Sequence, residues 1–478
     1  MPTLTQLRHA AREIFNEALR AVDAGEAVRG ALHLEGSRLT VRDAHIELGN
    51  RRVCSIAIGK AALPMAIALE DVIGERFIAG LIVGPIAGQP QGRDIALPPR
   101  KFSTRWQWWE GGHPLPTKTS LIAAEEAFAL LDRANEERAL LIFLISGGGS
   151  AMLEWPIQKD ITLADLRMAN KVLINCGASI VEINSVRRAF SAVKGGGLAA
   201  RARNCDQITL IVSDVPSGQE RNVASGPTLV PSRDSPDPRE VIARYHLNTK
   251  LPGRILRAIE AKSLAPFASE DVAGLIGKHF VLLDNDSALA VAAKAARQLG
   301  YVTEISADIN NQRIEEGCAE ILKRLEAFHN GGVHQLSPNS ICLISGGEFA
   351  CPVNGNGIGG RNQETALRLA LESENPARTS TSMAFVALCA GTDGIDGNSP
   401  AAGAIVDSTT IQRARAIGLD PEDFLKRSDA YSFFVALGDA ITTGATGTNV
   451  RDIRILLAEQ HHASSQKDDL RNQNLTRR

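Results

Sequence analysis

The sequence predicts an α/β protein of two domains built on parallel sheets, and three observations carry that expectation. Apolar runs of strand length alternate with helical stretches through both halves of the chain. One strand–turn pattern occurs twice: Leu140–Leu153 reads LLIFLISGGGSAML, and Ser340–Cys351, about two hundred residues on, reads SICLISGGEFAC. Between the two copies lies SRDSPDPR, Ser232–Arg239, the most linker-like stretch in the sequence. These place a first domain over 1–235, a second over 236–458, and a polar, disordered tail over 459–478.

In chain order, Met1–Val22 has the apolar spacing of an amphipathic helix, with Leu7, Ala11, Ile14, Ala18 and Leu19 on one face. Glu13 and Glu17 among its arginines argue against a transit peptide. Ala31–Leu48 alternates around Gly36-Ser37 as a hairpin would. Strands follow at Val53–Ile58, Ala79–Ile86 and the tryptophan-rich Arg105–Glu110, with helices over Ala61–Ile73 and Ser120–Arg133. Six apolar residues, Leu140–Ile145, run without a polar break, the mark of a strand buried on both faces. After the glycines, Thr162-Leu163-Ala164-Asp165 is a capping box, and a second helix spans Ala178–Val193. Strand Ile208–Val212 leads into a long loop rich in Gly, Pro and Ser. Beyond the linker come strands Phe280–Asp284, Tyr301–Ile305, Ile341–Ile344, Ala384–Ala390 and Ile453–Leu457. Helices lie between them over Ser287–Leu299, Gln312–His329, Asn362–Leu371 and near Ser408–Ile417.

Composition bounds the function. With 52 basic and 54 acidic side chains and no basic block, nothing points to nucleic acid or an anionic membrane. No apolar run reaches membrane-spanning length. Seven scattered cysteines without a C-x-x-C fit reduced thiols in a cytoplasmic protein rather than disulfides or a zinc site.

The unusual residues collect directly after expected strands: Lys60, the Ser146–Ser150 loop, Ser213-Asp214, the Gly346-Gly347-Glu348 turn, and Gly391-Thr392-Asp393-Gly394. In open α/β sheets ligands bind outside the carboxyl ends of strands. Glycine runs let a ligand approach the backbone, and successive N–H groups form an anion cradle. Lysine, arginine and carboxylates beside such loops are what phosphoryl transfer requires, the carboxylates holding Mg²⁺. Lys60 and Arg361 both stand at expected helix starts, where a cation is unfavourable unless an anion joins it. Arg187 and Lys194 sit on a helix and at its end, where cations are welcome anyway. His113 reads as structural, and Ser150 lacks a nucleophile-elbow context. There is no P-loop and no protein-kinase signature. Gly355–Gly360 matches G-x-G-x-x-G loosely, late in the chain and without a ribose-binding acid.

Taken together, IGKAALPMA, EGGHPLP, LISGGGSAML, NSVRRAFSAVKGGGLAA, SDVPSG with ASGPT, SGGE, GGRNQE, GTDGIDG and TGTNVRDIRIL resemble the class II glycerate kinases, whose C-terminal part is the MOFRL domain. The resemblance runs from Val53 to about Leu457. It implies a Rossmann-like N-terminal domain, a smaller α/β C-terminal domain with its MOFRL region at about 339–456, and an active site in the cleft. It implies Mg²⁺- and ATP-dependent phosphorylation of D-glycerate, on the 2-hydroxyl. Lys60 and Arg361 fall on positions tied to phosphate handling, and Asp214 joins them as the third expected catalytic residue. Ser146, Gly147, Gly148, Gly149, Ser150, Lys194, Gly346, Gly347 and Glu348 are the expected phosphate and nucleotide contacts. Arg187, Asn362 and Asn449 are the expected substrate contacts, and Asp393 and Asp396 the expected metal ligands. The expected partners are the nucleotide and D-glycerate, with a homodimer left open. The chain departs from the family pattern at Thr117, where an aspartate is usual, at Ser217-Gly218-Gln219, and at Arg451, where an asparagine is common. Two other readings stand beside this one: an NAD(P)H-dependent hydroxypyruvate reductase, and a kinase or binding protein for a related short-chain sugar acid.

Overall fold

The computed structural model describes residues 3–85, 103–263, 277–330, 340–374 and 384–459. Of the expected disordered tail, 459–478, Glu459 is instead the buried last residue of a strand, and 460–478 lie outside the described residues. Contacts divide the chain into two compact units, one of Val22–Asn285 with Ala445–Val450, the other of Met1–Ala21, Asp286–Gly444 and Arg451–Arg478.

The first unit opens with a small antiparallel sheet of β1 (Leu32–Glu35), β2 (Arg38–Val41) and β3 (Ala44–Glu47). Six further strands follow: β4 (Val53–Ile58), β5 (Phe77–Gly84), β6 (Trp106–Glu110), β7 (Leu140–Ser146), β8 (Gln207–Val212) and β9 (Gly277–Leu283). They form one all-parallel sheet in the order β6-β5-β4-β7-β8-β9. Every residue of β4, β7 and β8 is buried, which is why their sequences run apolar without alternating. Thr117 and Thr162 build capping boxes at the starts of helices Lys118–Glu137 and Leu163–Ile174.

The units do not part at the expected 235/236 boundary. Asp237 caps the helix Pro238–Arg244, with Pro238 in its first turn. That helix and Gly253–Ser263 bury Val241, Ile242, Ile255 and Ile259 against Leu166, Leu173 and Phe190. SRDSPDPR therefore leads into a helix within the first unit, with Asp237 and Pro238 as that helix's capping chemistry.

The second unit holds β10 (Val302–Ile305), β11 (Ser340–Gly347), β12 (Phe385–Gly391), β13 (Gly403–Asp407), β14 (Ala440–Ile441) and β15 (Asp452–Glu459). Their order is β10-β11-β15-β12-β13-β14. This sheet corrects the expectation of a parallel one. Among the described strands only β10 and β11 pair in parallel; β15 enters antiparallel between β11 and β12, and β13 and β14 continue antiparallel. Because β15 runs against its neighbours, its first residue, Asp452, lies opposite Gly347 and Gly391, the last residues of β11 and β12. The helix Leu4–Ala21 packs on β12 and β15 of this unit, and Arg8 pairs with Asp407 and Asp439. The segment Glu348–Val353, after β11, is not a strand among the described residues and has one isolated bridge, Arg313 to Ala350.

Candidate functional site

In the first unit the site begins where β4 ends. Gly59 has φ of 112°, and a Cβ there would overlap Ser146. The Ser146 hydroxyl donates to the Ile58 carbonyl at 3.1 Å and accepts the Ala61 N–H at 3.0 Å. The Lys60 N–H donates to the Gly147 carbonyl at 2.9 Å. Lys60 is thereby locked by its backbone to the glycine loop. A Cβ placed on Gly148 would stand 3.4 Å from Lys60 Cγ and 3.3 Å from His113 Cδ2, and one on Gly147 would overlap the Asp214 carboxylate. Lys60, His113 and Asp214 thus converge on Gly147-Gly148 beyond the ends of β4, β6, β7 and β8. Gly149 packs so closely on Ile58 and Ala224 that a Cβ would lie 2.8 Å from each.

Ser150 leads from this loop into a buried polar network. Its hydroxyl bonds to that of Ser225, whose Oγ donates to Asn184 Oδ1 at 2.8 Å. Asn184 Oδ1 also faces Arg187 Nη1 at 3.5 Å, and Arg187 Nε donates to Asn170 Oδ1 at 2.9 Å. Arg188 is held by the Ser225 and Arg221 carbonyls and by Asn222 Oδ1. Burial pushes the Arg187 guanidinium down to about 10, with Glu154 opposing. Lys194 corrects an expectation. It is fully buried and pairs with Glu154, which also accepts from Ser191 Oγ at 2.6 Å, so its ammonium serves the core and not a phosphate. Asn449 is buried in the same unit, in the segment Ala445–Val450.

In the second unit the site gathers on the helix Arg361–Ser373. Arg361 donates from Nε and Nη2 to the two Asp452 oxygens at 2.6 and 3.1 Å, and Nη2 lies 3.0 Å from Glu348. Burial works against the charge of Arg361; Asp452 and then Glu348 outweigh it and hold the guanidinium well above its ordinary value. Asp452, 2% exposed at its side chain, is opposed by burial and held below the carboxylate range by Arg361. Beneath them the fully buried Arg454 donates to the Gly346 and Gly347 carbonyls and lies 3.7 Å over the Phe349 ring. Gly347, at φ of 81°, leaves no room for a Cβ against the Asn310 carbonyl.

Asp396, expected as a metal ligand, has both of its oxygens engaged by the helix Arg361–Ser373. Oδ1 accepts the Asn362 N–H at 3.1 Å and Oδ2 the Gln363 N–H at 2.8 Å, with Asn362 Nδ2 at 3.3 Å. It caps a helix whose own N-cap, Gly360, has no side chain. The amides expected to receive an anion beside Arg361 are thus filled from within. Burial pushes the Asp396 carboxyl up to about 7. Asp393 is half-buried, with Oδ1 accepting the Ile395 N–H at 3.2 Å. Among the described residues no three His, Cys, Asp or Glu side chains gather as a metal site. Mg²⁺ in phosphoryl-transfer sites takes one or two carboxylates and completes its shell with water and phosphate, and Asp393 is the more exposed of the two expected carboxylates.

Comparison with known proteins places the chain. Residues 10–260 match the family described as Domain of unknown function (DUF4147), and residues 341–452 match the MOFRL family. The D-glycerate 2-kinase of Thermotoga maritima is 34% identical over 453 residues, covering 94% of this chain and 98% of its own. The chain belongs to the glycerate kinase family. A crystal structure of glycerate kinase from Thermotoga maritima superposes with a TM-score of 0.73 at 30% identity, over 95% of this chain and all of the other. An Agrobacterium vitis relative provisionally named a hydroxypyruvate reductase is 34% identical and covers 94% of each chain.

As a glycerate kinase family member the chain accounts for two of its departures, and nothing in the structure explains the one at Ser217-Gly218-Gln219. Thr117 caps the helix Lys118–Glu137, work that an aspartate would also do. Arg451 has φ of 73°, a left-handed conformation that asparagine adopts readily, and its carbonyl accepts from the N–H and hydroxyl of Thr392 at 3.0 and 2.7 Å. The G-x-G-x-x-G stretch is no dinucleotide cradle. The Gly357, Ile358 and Gly359 amides donate to the Arg427 carbonyl, Asp429 Oδ1 and Asn398 Oδ1 at 3.0, 3.0 and 2.8 Å. The residues that sequence reasoning missed are Glu154, Asn170, Asn184, Ser225, Arg454 and the partner role of Asp452. Arg454 had a signal, an arginine inside the apolar run DIRILLA.

Proposed function

We propose that this chain transfers the γ-phosphoryl group of ATP to D-glycerate, at the 2-hydroxyl, forming 2-phosphoglycerate. The observation that carries the reading is the convergence of Lys60, Asp214 and the Gly147-Gly148 turn at the strand ends of a parallel sheet. The names of the full-length relatives support it.

In the proposed chemistry the substrate hydroxyl oxygen attacks the γ-phosphorus, the bond from that phosphorus to the β–γ bridging oxygen breaks, and the hydroxyl proton passes to Asp214. Lys60 neutralises charge on the equatorial oxygens of the transferring group. Arg361, aligned by Asp452 and Glu348, offers its fork to phosphate or carboxylate oxygens. A Mg²⁺ ion held by Asp393 would offset nucleotide phosphate charge. The paired amides of Gly357–Gly359 weigh against the reductase reading. No helix among the described residues is long and apolar enough to cross a membrane, in keeping with a cytoplasmic enzyme.

The test supplies D-glycerate with Mg-ATP and, separately, hydroxypyruvate with NADH or NADPH. ADP release with a phosphorus resonance of 2-phosphoglycerate is expected. Cofactor oxidation without ADP release would replace the kinase with the reductase, and a 3-phosphoglycerate resonance would move the transfer to the other hydroxyl.

A further inference from the structure

Two adjacent arginines, Arg187 and Arg188, are buried in the polar network behind the glycine loop, at 8% and 6% exposure. Neither forms an ion pair with any described residue, because Glu154, the carboxylate that acts on Arg187, is bonded to Lys194. The two differ in how they are satisfied. Arg188 meets two backbone carbonyls and one amide oxygen, and it holds the turn through Ala224 and Ser225, both left-handed. Arg187 has the amide oxygen of Asn170 at 2.9 Å and a long contact to Asn184 at 3.5 Å; its Nη2 has no hydrogen-bond partner among the described residues.

A buried guanidinium that meets only neutral acceptors leaves its charge uncompensated, an arrangement that persists where an anion completes it. The planar fork suits a carboxylate. The hydroxyls of Ser150 and Ser225 and the Asn184 amide join this arginine to the loop that carries Gly147 and Gly148. We infer that Arg187, oriented by Asn170 and Asn184, is the subsite for the carboxylate of the hydroxy-acid substrate. The inference rests on the proposed kinase reading for the identity of that acid. It makes the 1-carboxylate the anchor that fixes which hydroxyl is presented for transfer.

The experiment uses the full chain. Melting temperature is followed with D-glycerate, glycolate or D-lactate, and with glycerol, which has the hydroxyls and no carboxylate; nucleotide affinity is measured separately. The wild-type protein is expected to be stabilised by the three acids and not by glycerol. Arg187→Gln is expected to weaken D-glycerate binding by roughly thirtyfold or more, with nucleotide affinity unchanged. Asn170→Asp covers the case in which Arg187→Gln does not fold. It places a carboxylate beside Arg187 Nε and should displace the ligand from within, lowering the response to all three acids. Acid binding unchanged in either folded variant would make Arg187 a structural arginine and overturn the inference. A loss of nucleotide affinity in place of acid affinity would overturn it as well, by making the site one for phosphate. Absent turnover with Arg187-dependent acid binding would defeat the kinase reading alone. Turnover with Arg187-independent acid binding would defeat the inference alone.

Discussion

The two glycine turns start from the same letters and end in different chemistry. Leu144-Ile145-Ser146-Gly147-Gly148 and Leu343-Ile344-Ser345-Gly346-Gly347 both close a buried strand, and the second glycine of each has φ of 81°. Beyond that point the surroundings decide. β7 lies between parallel β4 and β8, so Ser146 bridges to the neighbouring strand end and brings Lys60 to the loop. β11 lies between parallel β10 and antiparallel β15, which delivers Asp452 and Arg454 in place of a strand end. Arg454 then ties down the carbonyls of the second turn, and Arg361 is held by Asp452. A shared sequence sets the turn; the direction of the adjoining strand sets what the turn is offered.

The largest expected effect separates the two cations. Arg361→Ala removes the bidentate partner of the buried Asp452 carboxylate and leaves it the Asn362 side chain and the field of Arg454, so it should lower unfolding free energy by about 3 kcal/mol and reduce kcat by roughly a hundredfold. Lys60 is half-buried, and Lys60→Ala should give the same loss of kcat with a melting temperature within about 2 °C of wild type. Equal losses of stability in the two variants would erase the distinction between an aligned and an independent cation. Arg361→Lys should recover little, since a point charge cannot span both Asp452 oxygens.

The turns themselves can be set against each other by adding one methyl group. Alanine at Gly148 meets only side-chain atoms at 3.2–3.4 Å, so backbone strain of about 1–2 kcal/mol is expected. Alanine at Gly347 overlaps the Asn310 carbonyl and should lose roughly 2 kcal/mol more. Urea unfolding measures both, and a reversed order would contradict the packing described.

A smaller effect per step concerns Asp396. Its carboxyl, ordinarily near 3.8, stands at about 7 in the folded chain because burial disfavours the charge. Across that window the folded chain keeps a proton that the unfolded chain has released, so stability falls as pH rises, by at most about 1.4 kcal/mol per pH unit, and levels off above about 7. Asp396→Asn should remove this slope. Parallel pH curves for the two proteins would show that Asp396 does not titrate there. The smallest change is Thr117→Ala, a local cap set against the remote one, at about 1 kcal/mol by calorimetry.

Much of the first unit was legible because a parallel sheet writes itself as apolar runs: β4, β7 and β8 stand within a residue of their expected positions. The second sheet was less so. β13 reads GAIVD, too short and too glycine-rich to announce a strand, and nothing in the run Asp452–Glu459 says which neighbours it will divide. At the site, glycines and the cations after strands were visible because their local rule is strong. The commitments were not. That Lys194 would meet Glu154, or Asp396 the Asn362 and Gln363 amides, depends on side chains far apart in sequence.

The position of β15 also sets a timetable for synthesis. The first unit takes nearly all of its residues from one continuous stretch, and its sheet is complete once Leu283 has left the ribosome. The second unit has its opening helix translated first and its dividing strand last, so from the completion of β12 until β15 is made β11 and β12 each present an unpaired edge. A message cut short before codon 452 would yield a finished parallel sheet joined to an open one with two exposed edges, ready to pair with a neighbouring nascent chain.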